Sequence, residues 1–216
     1  MNENFDIAKF ENIIRLFPLK WFEDEKNKGH ILFERYKKLE NNPKDKYYLK
    51  YFHEIDKLLD IVFSENQMSK DMKHKLNNQF EDTISEIKVF AYLILNGIKC
   101  KFEKFPDIKI INREIRIEVK NIYDSKKLTD NIFCAKRLAE KPEYMEELDD
   151  ISRMRSRIDE VNKIDDTMLN IIIIDVTNAS SILSDEFEYS LIENYNKISA
   201  IVMLEGKYLK NLSFKV

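Results

Sequence analysis

The chain has 216 residues, 44% apolar, 35% charged and 12% aromatic, with a formal net charge of −3. That length can bury a substantial core, as one domain with an appendage or as two small ones, and the aromatic content argues against disorder. Its three glycines, Gly29, Gly97 and Gly206, stand apart, which excludes a phosphate-cradling loop or a dinucleotide fingerprint, so no nucleotide cofactor is expected.

Cys100 and Cys134 are too few for a disulfide framework or a four-cysteine zinc site, and they fit a reducing, cytoplasmic compartment. No basic stretch followed by an apolar run opens the chain, so no leader is expected. The apolar runs 90–95 and 171–174 are far too short for a bilayer, and a soluble protein without membrane contact is expected. The net charge neither announces nor excludes nucleic acid, because a local basic patch matters more than the sum.

From about residue 6 to 77, apolar residues recur at three- and four-residue intervals: Ile13, Ile14 and Phe17, then Ile31, Leu32 and Tyr36, then Tyr51, Ile55, Leu58, Leu59 and Val62. This predicts helices, punctuated by Pro18 and by Asn41-Asn42-Pro43. Residues 1–77 read as an N-terminal helical subdomain. His30, His53 and His74 fall in it without ligand spacing and read as surface or core-edge residues. Tyr47, Tyr48 and Tyr51 with Lys44, Lys46 and Lys50 read as a solvated lysine face over a tyrosine-lined core, with base stacking as the alternative.

Residues 78–216 read as an α/β domain. A helix over about 78–96 stops at Gly97. Short β-type runs follow over 98–105, 107–111 and 115–121. A long polar and helical stretch leads to a buried strand over 171–177, then a helix over 185–196 and a strand over 199–204. Mixing of this kind favours a sheet with helices on its faces.

Chemistry concentrates in Phe105-Pro-Asp-Ile-Lys-Ile-Ile-Asn-Arg-Glu-Ile-Arg-Ile-Glu-Val-Lys-Asn121. Acid-any-Lys triplets are common in this chain, so the triplet Glu118-Val119-Lys120 draws its meaning from its place. Side chains alternate along a strand, which puts Ile115, Ile117 and Val119 on one face and Arg116, Glu118 and Lys120 on the other. A polar turn at Asn112-Arg113 brings the preceding strand back antiparallel. Asp107 then sits across from the Glu118 end. Two carboxylates and a backbone carbonyl, that of Val119, make an oxygen-rich site suited to Mg²⁺ or Mn²⁺. The competing reading is an ordinary salt bridge on a solvated strand.

Pro106-Asp107 at one strand's start, followed by Glu118-Val119-Lys120 on the next, resembles the signature of the PD-(D/E)XK nuclease superfamily. The order helix, three-strand meander, helix, strand, helix, strand resembles the restriction-endonuclease-like core. The resemblance implies that Asp107 and Glu118 hold the metal, that Glu86 on the first core helix assists, and that Lys120 positions a water. It implies a nuclease acting foremost on DNA, with a homodimer as one compatible assembly. Lys104, Lys109, Arg116 and Lys126 would attract phosphates. Arg155, flanking the apolar stripe of its helix with Asn162, is a weaker phosphate-contacting candidate. The alternative is the same fold without turnover, as a nucleic-acid-binding or protein-interaction module. Asp175 is read outside the site, as a strand-end acid capping a turn.

Overall fold

The computed structural model describes residues 5–104, 107–123, 169–178, 200–205 and 213–215. The protein is a mixed α/β chain of two compact units, Met1–Leu95 and Asn96–Val216.

The first unit is helical. It contains α1 (Glu11–Leu16), α2 (Leu19–Glu23), α3 (Ile31–Asn41), α4 (Lys46–Ser64), α5 (Lys70–Asn78) and α6 (Phe80–Leu95). α4 is the organising element. Phe52, Ile55, Leu58, Leu59 and Val62 form one buried stripe along it, and burying each such side chain contributes about 1.5–3 kcal/mol. Most helix starts are closed by side chains. Asp45 accepts from the Tyr47 and Tyr48 amides (2.9 and 3.3 Å) at α4, and Ser69 from the Met72 amide (3.0 Å) at α5. α1 has no cap of its own. Asp56 of α4 supplies one, accepting from the Asn12 and Ile13 amides at 2.9 and 3.0 Å.

His30 is a second tertiary clasp. Its Nδ1 accepts from the Leu32 amide and its Nε2 meets the Leu76 carbonyl, both at 3.2 Å. That pair of contacts selects the neutral imidazole with its proton on Nε2. The ring lies among Phe17, Trp21 and Phe80.

α6 is buried without interruption from Thr83 to Ala91, so no polar stripe marks a solvent side. It packs on α4 and α5 and belongs to the helical unit. The sequence reading opened the second domain at residue 78, whereas the units part after Leu95. Gly97, at φ +76°, follows the helix as the expected left-handed stop.

The second unit is a six-stranded sheet in the order β1-β2-β3-β4-β5-β6. Its strands are β1 (Cys100–Phe102), β2 (Ile108–Ile110), β3 (Ile115–Tyr123), β4 (Leu169–Asn178), β5 (Ala200–Glu205) and β6 (Ser213–Lys215). The first three form the antiparallel meander expected from the sequence. β4 runs parallel to β3 and β5 parallel to β4, and β6 returns antiparallel. The reading missed β6, whose three residues are too few to show a period. Of the polar and helical stretch expected before the strand at 171, residues 124–168 lie outside the described residues, as does the helix expected over 185–196, and Leu169 and Asn170 already belong to β4. Ile108, Ile117, Val119, Ile172, Ile173 and Leu204 are buried on the sheet. No described helix is long and apolar enough to cross a membrane.

Candidate active site

The turn after β2 carries Asn112 at φ +64°, a conformation Asn tolerates better than most residues. It sets a register in which Ile108 faces Ile117 and Lys109 faces Arg116. Asp107 enters β2 from below this pairing and Glu118 leaves it on β3, so both carboxylates arrive at one end of the hairpin.

They meet. The Asp107 amide donates to Glu118 Oε2 at 3.3 Å, and Asp107 Oδ2 accepts from the Val119 amide at 2.9 Å. Lys120 Nζ donates to Glu118 Oε1 at 2.5 Å. Asp107 and Glu118 are buried, and the Lys120 side chain is 16% exposed. The solvated-strand reading of this pair therefore does not describe it. β3 is covered here by β2 and β4 along its edges, and on its polar face Glu118 is shielded from water while Arg116 and Lys120 keep partial exposure.

Burial pushes the Glu118 carboxyl up, and the Asp107 charge beside it pushes the same way. Lys120 and the hydrogen bond from Asp107 pull it down without cancelling the rise. Two carboxylates that close, away from bulk water, disfavour double ionisation. A hard divalent cation is the partner that removes this tension, and an all-oxygen anionic donor set fits Mg²⁺ or Mn²⁺. Asp107 and Glu118 would hold it. Val119, proposed as a carbonyl donor, is tied into the same corner through its amide. Among the described residues, no three His, Cys, Asp or Glu side chains come together in a group able to hold a metal.

Other candidates are placed as follows. Glu86 lies on α6 in the helical unit, buried, with both carboxylate oxygens held by Lys75 Nζ of α5 at 3.1 and 3.0 Å. A pairing across two helices leaves no periodic trace. Lys104 is exposed in the loop after β1. Pro106, Lys126, Arg155 and Asn162 lie outside the described residues.

Two polar residues of the sheet went unread or misread. Asp175 does not end its strand. β4 runs on to Asn178, and Asp175 is fully buried inside it, in register with Asn121 of β3. Asn121 is 5% exposed, and neither its amide nitrogen nor its oxygen has a hydrogen-bond partner among the described residues. By strand alternation this pair lies on the face opposite Glu118 and Lys120. The signal was available: a polar residue follows Lys120 at the position where the apolar series Ile115, Ile117, Val119 would continue.

No family model matches the chain, and no curated protein or solved structure shows significant similarity to it.

Proposed function

We propose that the protein is a divalent-metal-dependent nuclease of the PD-(D/E)XK type, with a restriction-endonuclease-like core, that hydrolyses phosphodiester bonds, foremost in DNA. The observation that carries the reading is the convergence of Asp107 and Glu118 from adjacent strands, with the Lys120 ammonium bonded to Glu118. When bound, the cation would supply Lewis-acid activation of a water and charge stabilisation at the phosphate.

The chain's own residues do the rest. Asp107 and Glu118 offer the anionic oxygens. The Val119 amide holds Asp107 Oδ2 in place, and the Asp107 amide does the same for Glu118 Oε2. Positioning of this kind keeps the carboxylates from rotating away when a phosphate's negative charge approaches. Lys120, seated two residues from Glu118 on the same face, orients the water and offsets charge on the phosphate. The low exposure of all three keeps bulk solvent from screening them.

The test is a cleavage panel of plasmid, linear, forked and RNA substrates with Mg²⁺ or Mn²⁺. The wild-type chain should cut at least one substrate in a metal-dependent way. Asp107→Asn, Glu118→Gln and Lys120→Ala should each reduce the rate by about 10²–10³-fold or more, the scale of losing one group that stabilises developing charge. A Glu86→Gln arm decides whether that residue assists.

The second reading keeps this fold without turnover. It is favoured by the absence of a three-acid group among the described residues. Full cleavage by Asp107→Asn, or no stabilisation of the wild-type chain by either cation, would remove the catalytic reading.

A further inference from the structure

The register of the sheet draws up a second row of charges next to the carboxylates. Lys101 of β1 pairs with Lys109 of β2, Lys109 with Arg116 of β3, and Arg116 with Asn170 of β4. Three cations therefore stand side by side across three strands. Neighbouring strands are about 4.8 Å apart, so the row spans about 10 Å. Strand alternation puts it on the face that carries Asp107 and Glu118. It is displaced from them by one two-residue step, about 6.8 Å.

Such a row is unfavourable in the free protein. Like charges directly opposite on neighbouring strands destabilise a sheet. Lys101 has a carboxylate, Glu103, at 2.9 Å. Lys109 and Arg116 form no hydrogen bond or ion pair among the described residues. Arg116 Nε is buried without an acceptor among the described residues, and a buried donor left unmade costs stability. Among the described residues nothing calls for this arrangement, because a single Thr or Gln at either position would pair across the strands without repulsion.

We infer that Lys101, Lys109 and Arg116 seat the phosphates of a DNA strand flanking the one to be cut, so that the backbone crosses β1, β2 and β3 beside the carboxylate pair. This deepens the nuclease reading and rests on it for the role of the adjacent carboxylates. A phosphodiester backbone matches the row chemically. It brings repeated anionic oxygens to the three cations and offsets their mutual repulsion. The placement also makes division of labour physical: cations beside the site hold the backbone, while the acidic corner is left for the metal.

The experiment measures binding of a labelled DNA duplex to the full chain by fluorescence anisotropy, in chelator, across a salt series. It compares wild type with Lys109→Gln, Arg116→Gln, the double variant and Lys101→Gln. Each lost phosphate contact should lower the slope of log K against log salt by about 0.9, with the double variant losing close to the sum. Thermal unfolding of the same variants should be unchanged or raised, because a like-charge contact has been removed. An RNA duplex is run in parallel, and tighter, row-dependent binding of RNA than of DNA would overturn the assignment to DNA.

The outcomes separate from those of the cleavage panel. If wild type cleaves DNA while the double variant binds with an unchanged slope, the row is overturned and the nuclease reading stands. If wild type cleaves nothing yet its binding slope falls in the variants, the row stands as a DNA-binding surface and the nuclease reading fails. If wild type binds no DNA at low salt, or the glutamine variants unfold at lower temperature, the row is structural and the inference is wrong.

Discussion

The two units use polar residues for different ends. In the helical unit, polar side chains close the fold. Asp45 and Ser69 cap their own helices, Asp56 caps a helix that lacks a cap, and His30 bonds at both ring nitrogens. In the sheet unit, Asp107 at the entry to β2 and Glu118 on β3 are buried on the face that carries Arg116, and Asn121 on β3 and Asp175 on β4 are buried on the opposite face. Asp107 and Glu118 repel each other, and the Asn121 amide lacks a hydrogen-bond partner among the described residues. A fold optimised for stability alone would not concentrate them there. The contrast separates polarity that stabilises from polarity that is tolerated, and tolerated polarity is where a ligand is expected.

The sharpest way to probe the stabilising side is Asp56→Ala. It leaves the Asn12 and Ile13 amides of α1 without their acceptor and is expected to cost about 2 kcal/mol, the upper end of cap losses. Denaturant unfolding measures it. A loss near zero would mean that α1 is held by packing alone, and the comparison between the units would weaken.

How much of this was legible follows the same division. The meander and the shared face of Asp107 and Glu118 could be read because both depend on local rules, the two-residue alternation and a polar turn. Asp56 and Lys75 could not be assigned their partners, since those contacts join residues from different helices. α6 is buried from Thr83 to Ala91 with Ser85, Glu86 and Lys88 spread among its apolar residues, so its sequence carries no sign of which unit claims it. Asp175 was misread because a strand covered on both faces shows no alternation, and an acid within it looks like an acid at its end. Asn121, by contrast, broke a visible apolar series and could have been found.

Asn121→Leu tests the tolerated side and should act in the opposite sense to Asp56→Ala. It replaces an amide that has no hydrogen-bond partner among the described residues by an apolar group of similar shape, and the removed desolvation penalty is expected to raise stability by about 1 kcal/mol. Thermal unfolding gives the sign directly. A clear loss would show that the amide is satisfied in solution, and Asn121 would then move to the stabilising class.

The smallest effect is on pH dependence, and there the two units oppose each other. Burial holds the His30 imidazole below its usual range, against the raising effect of the Leu76 carbonyl. The unfolded chain therefore takes up that proton first, near 6.5. The contribution of His30 is complete above that value and is lost as pH falls below it, towards the folded pKa. Glu118 is shifted the other way, above its ordinary 4.5. There the folded state holds the proton more tightly, so the contribution is present below 4.5 and is lost as pH rises through the raised value. Acid thus weakens the helical unit through His30 while relieving the sheet unit through Glu118. Two non-titrating variants separate the opposing slopes. His30→Asn keeps an oxygen able to cap Leu32, and its stability should fall less than wild type when pH is lowered from about 7 to about 5. Glu118→Gln should gain less than wild type over the acid end of the same range. If both variants track wild type across the series, neither group is shifted as its surroundings require, and the electrostatic difference between the units is not real.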